Sequence, residues 1–118
     1  MAKLKVFDTN AMIAVSQGML IVDPLQVRVA VSVVTRIELL SWPALSVSGR
    51  AELRRMLSSV DVIEISQQIE DLAIDVRVTH RLKLPDAIIA ATALGLSAPL
   101  VTNDQLFGRV PGLVIESL

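Results

Sequence analysis

Four acidic residues of this 118-residue chain stand where chemistry can be organised: Asp8, Glu38, Asp86 and Asp104. Asp8 ends the alternating stretch Lys3 to Phe7. Glu38 lies in Val33 to Leu40, on or beside an apolar face, where an unpaired carboxylate is expensive. Asp86 follows Pro85 at the start of a segment that carries no further charge until Asp104. Asp104 sits just past the short apolar stretch Pro99–Thr102. Carboxylates brought close together raise one another's pKa, and burial adds to the effect. A hard divalent cation with oxygen ligands relieves that strain. There is no cysteine, and the one histidine, His80, reads as a surface residue at a helix end rather than one of this set, so the donor set points to Mg²⁺ or Mn²⁺ rather than Zn²⁺. Such an ion polarises a phosphate and acidifies an attacking water.

Each acid taken singly also has a plain structural reading. Asp86 is favoured by the dipole at a helix N-terminus. Asp104 after Asn103 fits a capping or turn residue, and Asp8 before Thr9-Asn10 fits an Asx turn. The case for chemistry rests on the elements that would bring the four together.

Lys3 to Phe7 reads as a first strand, and Ala11 to Val15 as a short helix capped by Thr9 or Asn10 and stopped near Gly18. Val27 to Val31 is a β-branched second strand. Ser32 caps a helix over Val33 to Leu40, which Trp42-Pro43 ends. Ser46 to Gly49 reads as a small-residue linker, and Arg50 to Ser58 as a polar helix. Val60 to Ile65 alternates as a third strand. Ser66 to Leu82 is the longest helix, with Ile69, Leu72, Ala73 and Val76 at helical spacing, acids near its start and arginines near its end. The next helix has Pro85 at its first position and stops near Gly95. It is apolar on all sides, which requires burial. Pro99–Thr102 is a short fourth strand, Asn103 caps a brief helix through Phe107, and Leu113 to Ile115 is the last strand. The order β-α-β-α-α-β-α-α-β-α-β predicts an α/β fold: three layers, α/β/α, around a central, mainly parallel sheet of four to five strands. Residues 1–118 read as one domain, with no internal repeat. Such sheets bind ligands at the carboxyl ends of their strands, and all four acids fit that edge.

The totals agree with a buried sheet. Hydrophobic residues make up 53% of the chain and the mean hydropathy is +0.61, which predicts a sheet covered on both faces and an apolar patch for a partner. No run is long enough to span a membrane and the N-terminus lacks a signal-peptide core, so the expected location is the cytoplasm. The net charge of −1 is unusual for a nucleic-acid binder, but it turns positive once four acids are committed to a cation. Aromatics at 3% are too few for a base-stacking platform. Of the basic clusters, Arg77, Arg81 and Lys83 lie next to Asp86 and are placed to contact RNA phosphate. Arg50, Arg54 and Arg55 read as a solvated face, His80 as a surface residue, and Trp42 as a packing or partner contact.

Four stretches together resemble the successive motifs of PIN-domain proteins, closest to VapC-type ribonuclease toxins of bacterial toxin–antitoxin pairs. They are Val6 to Asn10, Thr35 to Leu39, Leu84 to Ala93, and Leu100 to Phe107 with its Thr102-Asn103-Asp104 core. The resemblance spans nearly the whole chain, in order. It implies a PIN-like nuclease domain: a Mg²⁺- or Mn²⁺-dependent endoribonuclease that cuts structured RNA, leaving a 5′-phosphate and a 3′-hydroxyl. It also implies a homodimer and a cognate antitoxin that covers the acidic site. The family's metal ligands fall on Asp8, Glu38, Asp86 and Asp104, and its supporting polar positions on Asn10, Thr35 and Asn103. Some relatives carry a further acid after the fourth; here Gln105, Leu106 and Phe107 follow. On physical grounds Asp8, fixed at a strand end, is a direct ligand, and Asp86 and Asp104 hold the metal directly or through water. Glu38 is a ligand or orients the attacking water, while Thr9, Asn10 and Thr35 donate hydrogen bonds that fix the carboxylates.

Two other classes compete. An acidic-pocket phosphatase of the haloacid-dehalogenase type requires a second aspartate two residues after the first, and that position is Asn10. A receiver-type phosphoacceptor requires a strand-end lysine, which is missing. A non-catalytic PIN-like binding module would keep the fold without needing the full acid set.

Overall fold

The computed structural model describes residues 1–118. Its strands are β1 (Lys3–Phe7), β2 (Val27–Ser32), β3 (Asp61–Ile63), β4 (Leu100–Val101) and β5 (Ile115–Glu116). Its α-helices are α1 (Thr9–Ser16), α2 (Val33–Leu40), α3 (Val47–Leu57), α4 (Gln67–His80) and α5 (Leu84–Gly95), and a 3₁₀ turn covers Gln105–Arg109. The sheet order is β3-β2-β1-β4-β5 and every pairing is parallel, as the βα alternation requires. The chain winds outward from β1 to β2 and β3, then returns to the other side of β1 with β4 and β5. The order therefore reverses between β1 and β4, where the carboxyl ends of the strands open a crevice.

Successive strand residues point to opposite faces, and each face has its own core. Val6, Ala30 and Leu100 pack with Ile69, Ala73 and Val76 of α4 and with the buried residues of α5. Their neighbours Phe7, Val31 and Val101 pack on the other side with Ala11 and Met12 of α1, Leu39 of α2, and Leu53 and Leu57 of α3. The three expected layers follow. Residues Ala87 to Ala93 of α5 are all buried, so its uniform apolarity has its physical explanation. Ala87, Ala90, Ala91 and Ala93 are fully enclosed, and these small side chains let α5 lie close to its neighbours. No helix is long and apolar enough to cross a membrane.

Several boundaries differ from the sequence reading. The cap of α1 is Asp8 itself, not Thr9 or Asn10. Ser46 to Gly49 is no linker: the Gly49 N–H donates to Ser46 Oγ at 3.0 Å, so Ser46 caps α3 and the helix starts at Val47. The longest helix ends at His80, because Arg81 takes a left-handed conformation at φ 59°. Asp104, not Asn103, caps the 3₁₀ turn. The last strand is shifted to Ile115–Glu116, since the Leu113 N–H is engaged with the Val110 carbonyl in a turn.

A candidate active site at the sheet crevice

Each acid is delivered by a different element. Asp8 leaves the end of β1 and is only 5% exposed. Its Oδ1 accepts the Ala11 N–H at 2.8 Å, which starts α1. Its Oδ2 accepts from the hydroxyl of Thr102, just past β4. Burial pushes the Asp8 carboxyl above its ordinary 3.8, Thr102 and the Ala11 N–H pull it back, and the charges of Asp104 and Glu38 push it up again.

Asp104 follows β4. Its backbone N–H donates to Thr102 Oγ1 at 2.9 Å, and its Oδ1 accepts the Leu106 N–H at 2.9 Å. The Thr102 hydroxyl thus holds Asp8 with its proton and the Asp104 backbone with its lone pair. Thr102 is 1% exposed. Sequence reasoning named Asn103 as the supporting residue of this loop and passed over Thr102. The only signal was a hydroxyl one residue beyond a buried apolar pair and two before an acid. The Asn103 side chain instead accepts the Leu118 N–H at 3.0 Å and turns away from the acids, because one residue further along the backbone reverses the side-chain direction.

Asp86 lies in the first turn of α5 and is half-buried. Its carboxylate makes no hydrogen bond within the protein. Burial raises its pKa above 3.8, Asp104, Glu38 and Asp8 raise it further, and Lys83 lowers it. Glu38 departs from the sequence reading: it is exposed rather than pressed on an apolar face. It is also partnered, accepting the Thr9 hydroxyl at 2.6 Å, and Thr9 Oγ1 in turn lies 3.2 Å from Oγ1 of the fully buried Thr35. This Thr35–Thr9–Glu38 chain ties α2 to the start of α1. Asn10 is exposed at the rim.

All four acids line one cavity of about 170 Å³, together with Thr9, Asn10, Ile89 and Phe107. Ile89 and Phe107 are 2% exposed and close it with apolar surface. The acids therefore share the crevice between β1 and β4, and the repulsion felt by Asp8 and Asp86 is the electrostatic sign of that gathering. The side chains do not form a closed cage: no three acids converge on one point. Asp8 and Asp104 each give an oxygen to a backbone N–H and Glu38 gives one to Thr9, which holds them at the walls. An all-oxygen, mutually repelling donor set fits a hard cation that keeps part of its water shell. Arg77, Arg81 and Lys83 are exposed at the end of α4 and the entrance of α5. Arg50 has a structural task, its guanidinium donating to the Leu40 carbonyl. Two larger apolar grooves lie away from the acids; one, of about 500 Å³, is lined by Ile13, Trp42, Leu45 and Met56 among others.

Comparison with known proteins agrees with this fold. The family model described as PIN domain matches residues 5–113. The chain is similar to a toxin–antitoxin complex from Klebsiella pneumoniae, with 31% identity, a TM-score of 0.76, and coverage of 93% of this chain and 95% of that one. It shares its fold with VapBC2 from Rickettsia felis bound to a DNA fragment from their promoter (21% identity, TM-score 0.82, 98% of each chain). It also shares it with DNA-bound VapBC from Salmonella typhimurium (22% identity, TM-score 0.81, 99% and 98%). A search of curated proteins finds no match. The crevice of four carboxylates is thus carried on the fold that the four motifs implied, and this chain belongs to the PIN domain family.

Proposed function

We propose that this chain is a Mg²⁺- or Mn²⁺-dependent endoribonuclease, the toxin of a type II toxin–antitoxin pair, acting in the cytoplasm on structured RNA. The observation that carries the reading is the meeting of Asp8, Glu38, Asp86 and Asp104 in one crevice at the point where the strand order reverses. Asp8 would hold the ion directly, and Asp86 and Asp104 directly or through its remaining water shell. When bound it supplies charge stabilisation at a phosphoryl oxygen and acidifies an attacking water. Glu38 Oε1 is occupied by Thr9, which leaves Oε2 to orient that water and take its proton. The Thr102 hydroxyl favours the ionised form of Asp8 against the effect of burial and aims its carboxylate. Arg77, Arg81 and Lys83 would bind the phosphates flanking the cut. Hydrolysis joins the water oxygen to phosphorus and releases the 3′ oxygen with a proton, leaving a 5′-phosphate and a 3′-hydroxyl.

A cognate antitoxin is supported by the likeness to a toxin–antitoxin complex and by the open apolar groove beside Trp42. We take the working unit to be a homodimer.

The test is cleavage of tRNA and rRNA with and without Mn²⁺ or Mg²⁺, beside Asp8→Asn. Cleavage is expected to vanish on EDTA treatment and in the variant. Metal-independent cleavage that survives Asp8→Asn overturns the reading. Tight partner binding with no metal affinity by calorimetry would make the chain a binding module instead.

A further inference from the structure

The acid crevice leaves Asn103 without a task. Its side chain lines a second cavity, of about 410 Å³, just past the carboxyl ends of β4 and β5. Gln105, Gly108, Ile115 and Ser117 complete most of that lining. Asp104 belongs to both cavities, so the two meet at one of the four acids.

The lining is polar, and Asp104 is its one charged residue. The fold orients the Asn103 amide. The Leu118 N–H can only donate, so the Asn103 oxygen faces it and the NH₂ group is left over. The Gln105 amide and the Ser117 hydroxyl are exposed and make no hydrogen bond within the protein. These groups offer donors and acceptors but no positive charge. Recognition of phosphate calls for arginine or lysine. Neutral amides and hydroxyls suit the edge of a nucleobase.

Gly108 points the same way. The other four of the five glycines have a reason in the fold. Gly18 and Gly112 have φ values of 72° and 81°, where a side chain is strained. A Cβ on Gly49 would lie 3.0 Å from Ser46 Oγ, and one on Gly95 3.3 Å from Ile69 Cγ1. Gly108 has no positive φ, and a Cβ there would meet no atom within 4 Å. Neither backbone nor packing requires a glycine at this position. Its bare backbone keeps that wall of the cavity clear for a planar ring.

We propose that this cavity is a base-reading subsite. It takes the unpaired nucleobase next to the phosphate held among the acids. Gln105 and Asn103 read the edge of the base, and Gly108 leaves room for its ring. The assignment rests on the endoribonuclease reading above and adds sequence choice to it, which phosphate contacts do not supply.

The test has two arms. In the first, the full chain in Mg²⁺ is titrated with the 5′-monophosphates of adenosine, guanosine, cytidine and uridine, followed by proton–nitrogen correlation spectra. These nucleotides hold no bond for the enzyme to cut, so this arm is independent of cleavage. At least one of them should shift the side-chain amide signals of Asn103 and Gln105, and ribose 5-phosphate should not. Gly108→Leu should abolish the shifts, and thermal melting checks that it folds; Gln105→Ala, at an exposed position, serves if it does not. In the second arm, RNAs varied at the nucleotides flanking the cut are compared by kcat/KM. Wild type should discriminate about tenfold between best and worst base, and Gln105→Ala should reduce this to about twofold. Amide signals unmoved by every nucleotide, or moved equally by ribose 5-phosphate, overturn the subsite. Discrimination unchanged in both variants overturns it too and leaves the nuclease reading standing. A wild type that cuts no RNA overturns the nuclease reading, and the nucleotide titration then decides the subsite alone.

Discussion

Replacing Thr102 by valine keeps the volume of the side chain and removes one hydroxyl that serves two strands. Thr102 is buried to 1% exposure, so water cannot take the place of that hydroxyl. It donates to the Asp8 carboxylate and accepts the Asp104 N–H. A hydrogen bond to a charged group contributes roughly 1.5–3 kcal/mol, and a neutral one about 1 kcal/mol. Asp104 is half-buried, so solvent recovers part of the second term. The expected loss is roughly 2–4 kcal/mol, or about 8–16 °C in Tm for a domain of this size. Thr102→Ser keeps the hydroxyl and loses a methyl group, which costs about 1 kcal/mol. The pH dependence separates the hydrogen bond from packing. Thr102 lowers the Asp8 pKa, so removing its hydroxyl raises that pKa further. The penalty of the valine variant is therefore full where Asp8 is ionised, and it shrinks as pH falls through the folded pKa. Urea denaturation of wild type, Thr102→Val and Thr102→Ser at neutral and acid pH measures this. A valine variant as stable as the serine variant, or a penalty that does not change with pH, would refute the assignment of Thr102 as the link between the two acids.

Other consequences follow from the same geometry. Asp8 and Asp86 have raised pKa values, so the folded state keeps its protons over a window that begins near 3.8, where the unfolded state loses them. These two groups make the metal-free protein lose stability as pH rises through that window. Asp86→Asn, which breaks no hydrogen bond, should flatten the dependence, raise the Tm of the metal-free protein at neutral pH and remove any rise in Tm on adding Mn²⁺; a lower Tm without metal would contradict the repulsion. Ala90→Leu should cost roughly 1–3 kcal/mol or more by overpacking, since Ala90 is fully enclosed in α5, and chemical denaturation would show it. Phe107→Ala should cost about 3–5 kcal/mol and open the floor of the crevice, read as a fall in both Tm and Mn²⁺ affinity by calorimetry.

Much of the molecule was legible from local signals. The apolar run after Asp86 required a buried helix, and α5 is one. Strand and helix alternation required a parallel sheet, because a parallel crossover needs an intervening helix. Asp8 and Asp104 at strand ends and Asp86 at a helix start could be assigned to one edge, since those positions share the carboxyl side of the sheet, and Glu38, inside the helix after β2, fitted the same edge. Periodicity, caps and strand alternation depend on backbone geometry over a few residues, and a sequence displays them directly.

The contacts that complete the site are of another kind. Thr102 and Asp8 are 94 residues apart, and Glu38 and Thr9 are 29. Nothing local distinguishes Thr102 from Asn103 as the partner of an acid. The choice depends on which residue faces the crevice once β4 pairs with β1 at Val6–Leu100 and Phe7–Val101. The same holds for the caps: Asp8 and Asp104 took positions that Thr9, Asn10 and Asn103 fitted equally well by type. Glu38 could be placed on its helix by spacing, but its exposure depended on α1 packing beside α2. Residue chemistry and short-range geometry are written in the order of the amino acids. Which distant hydroxyl meets which carboxylate is decided only when strand register closes the sheet.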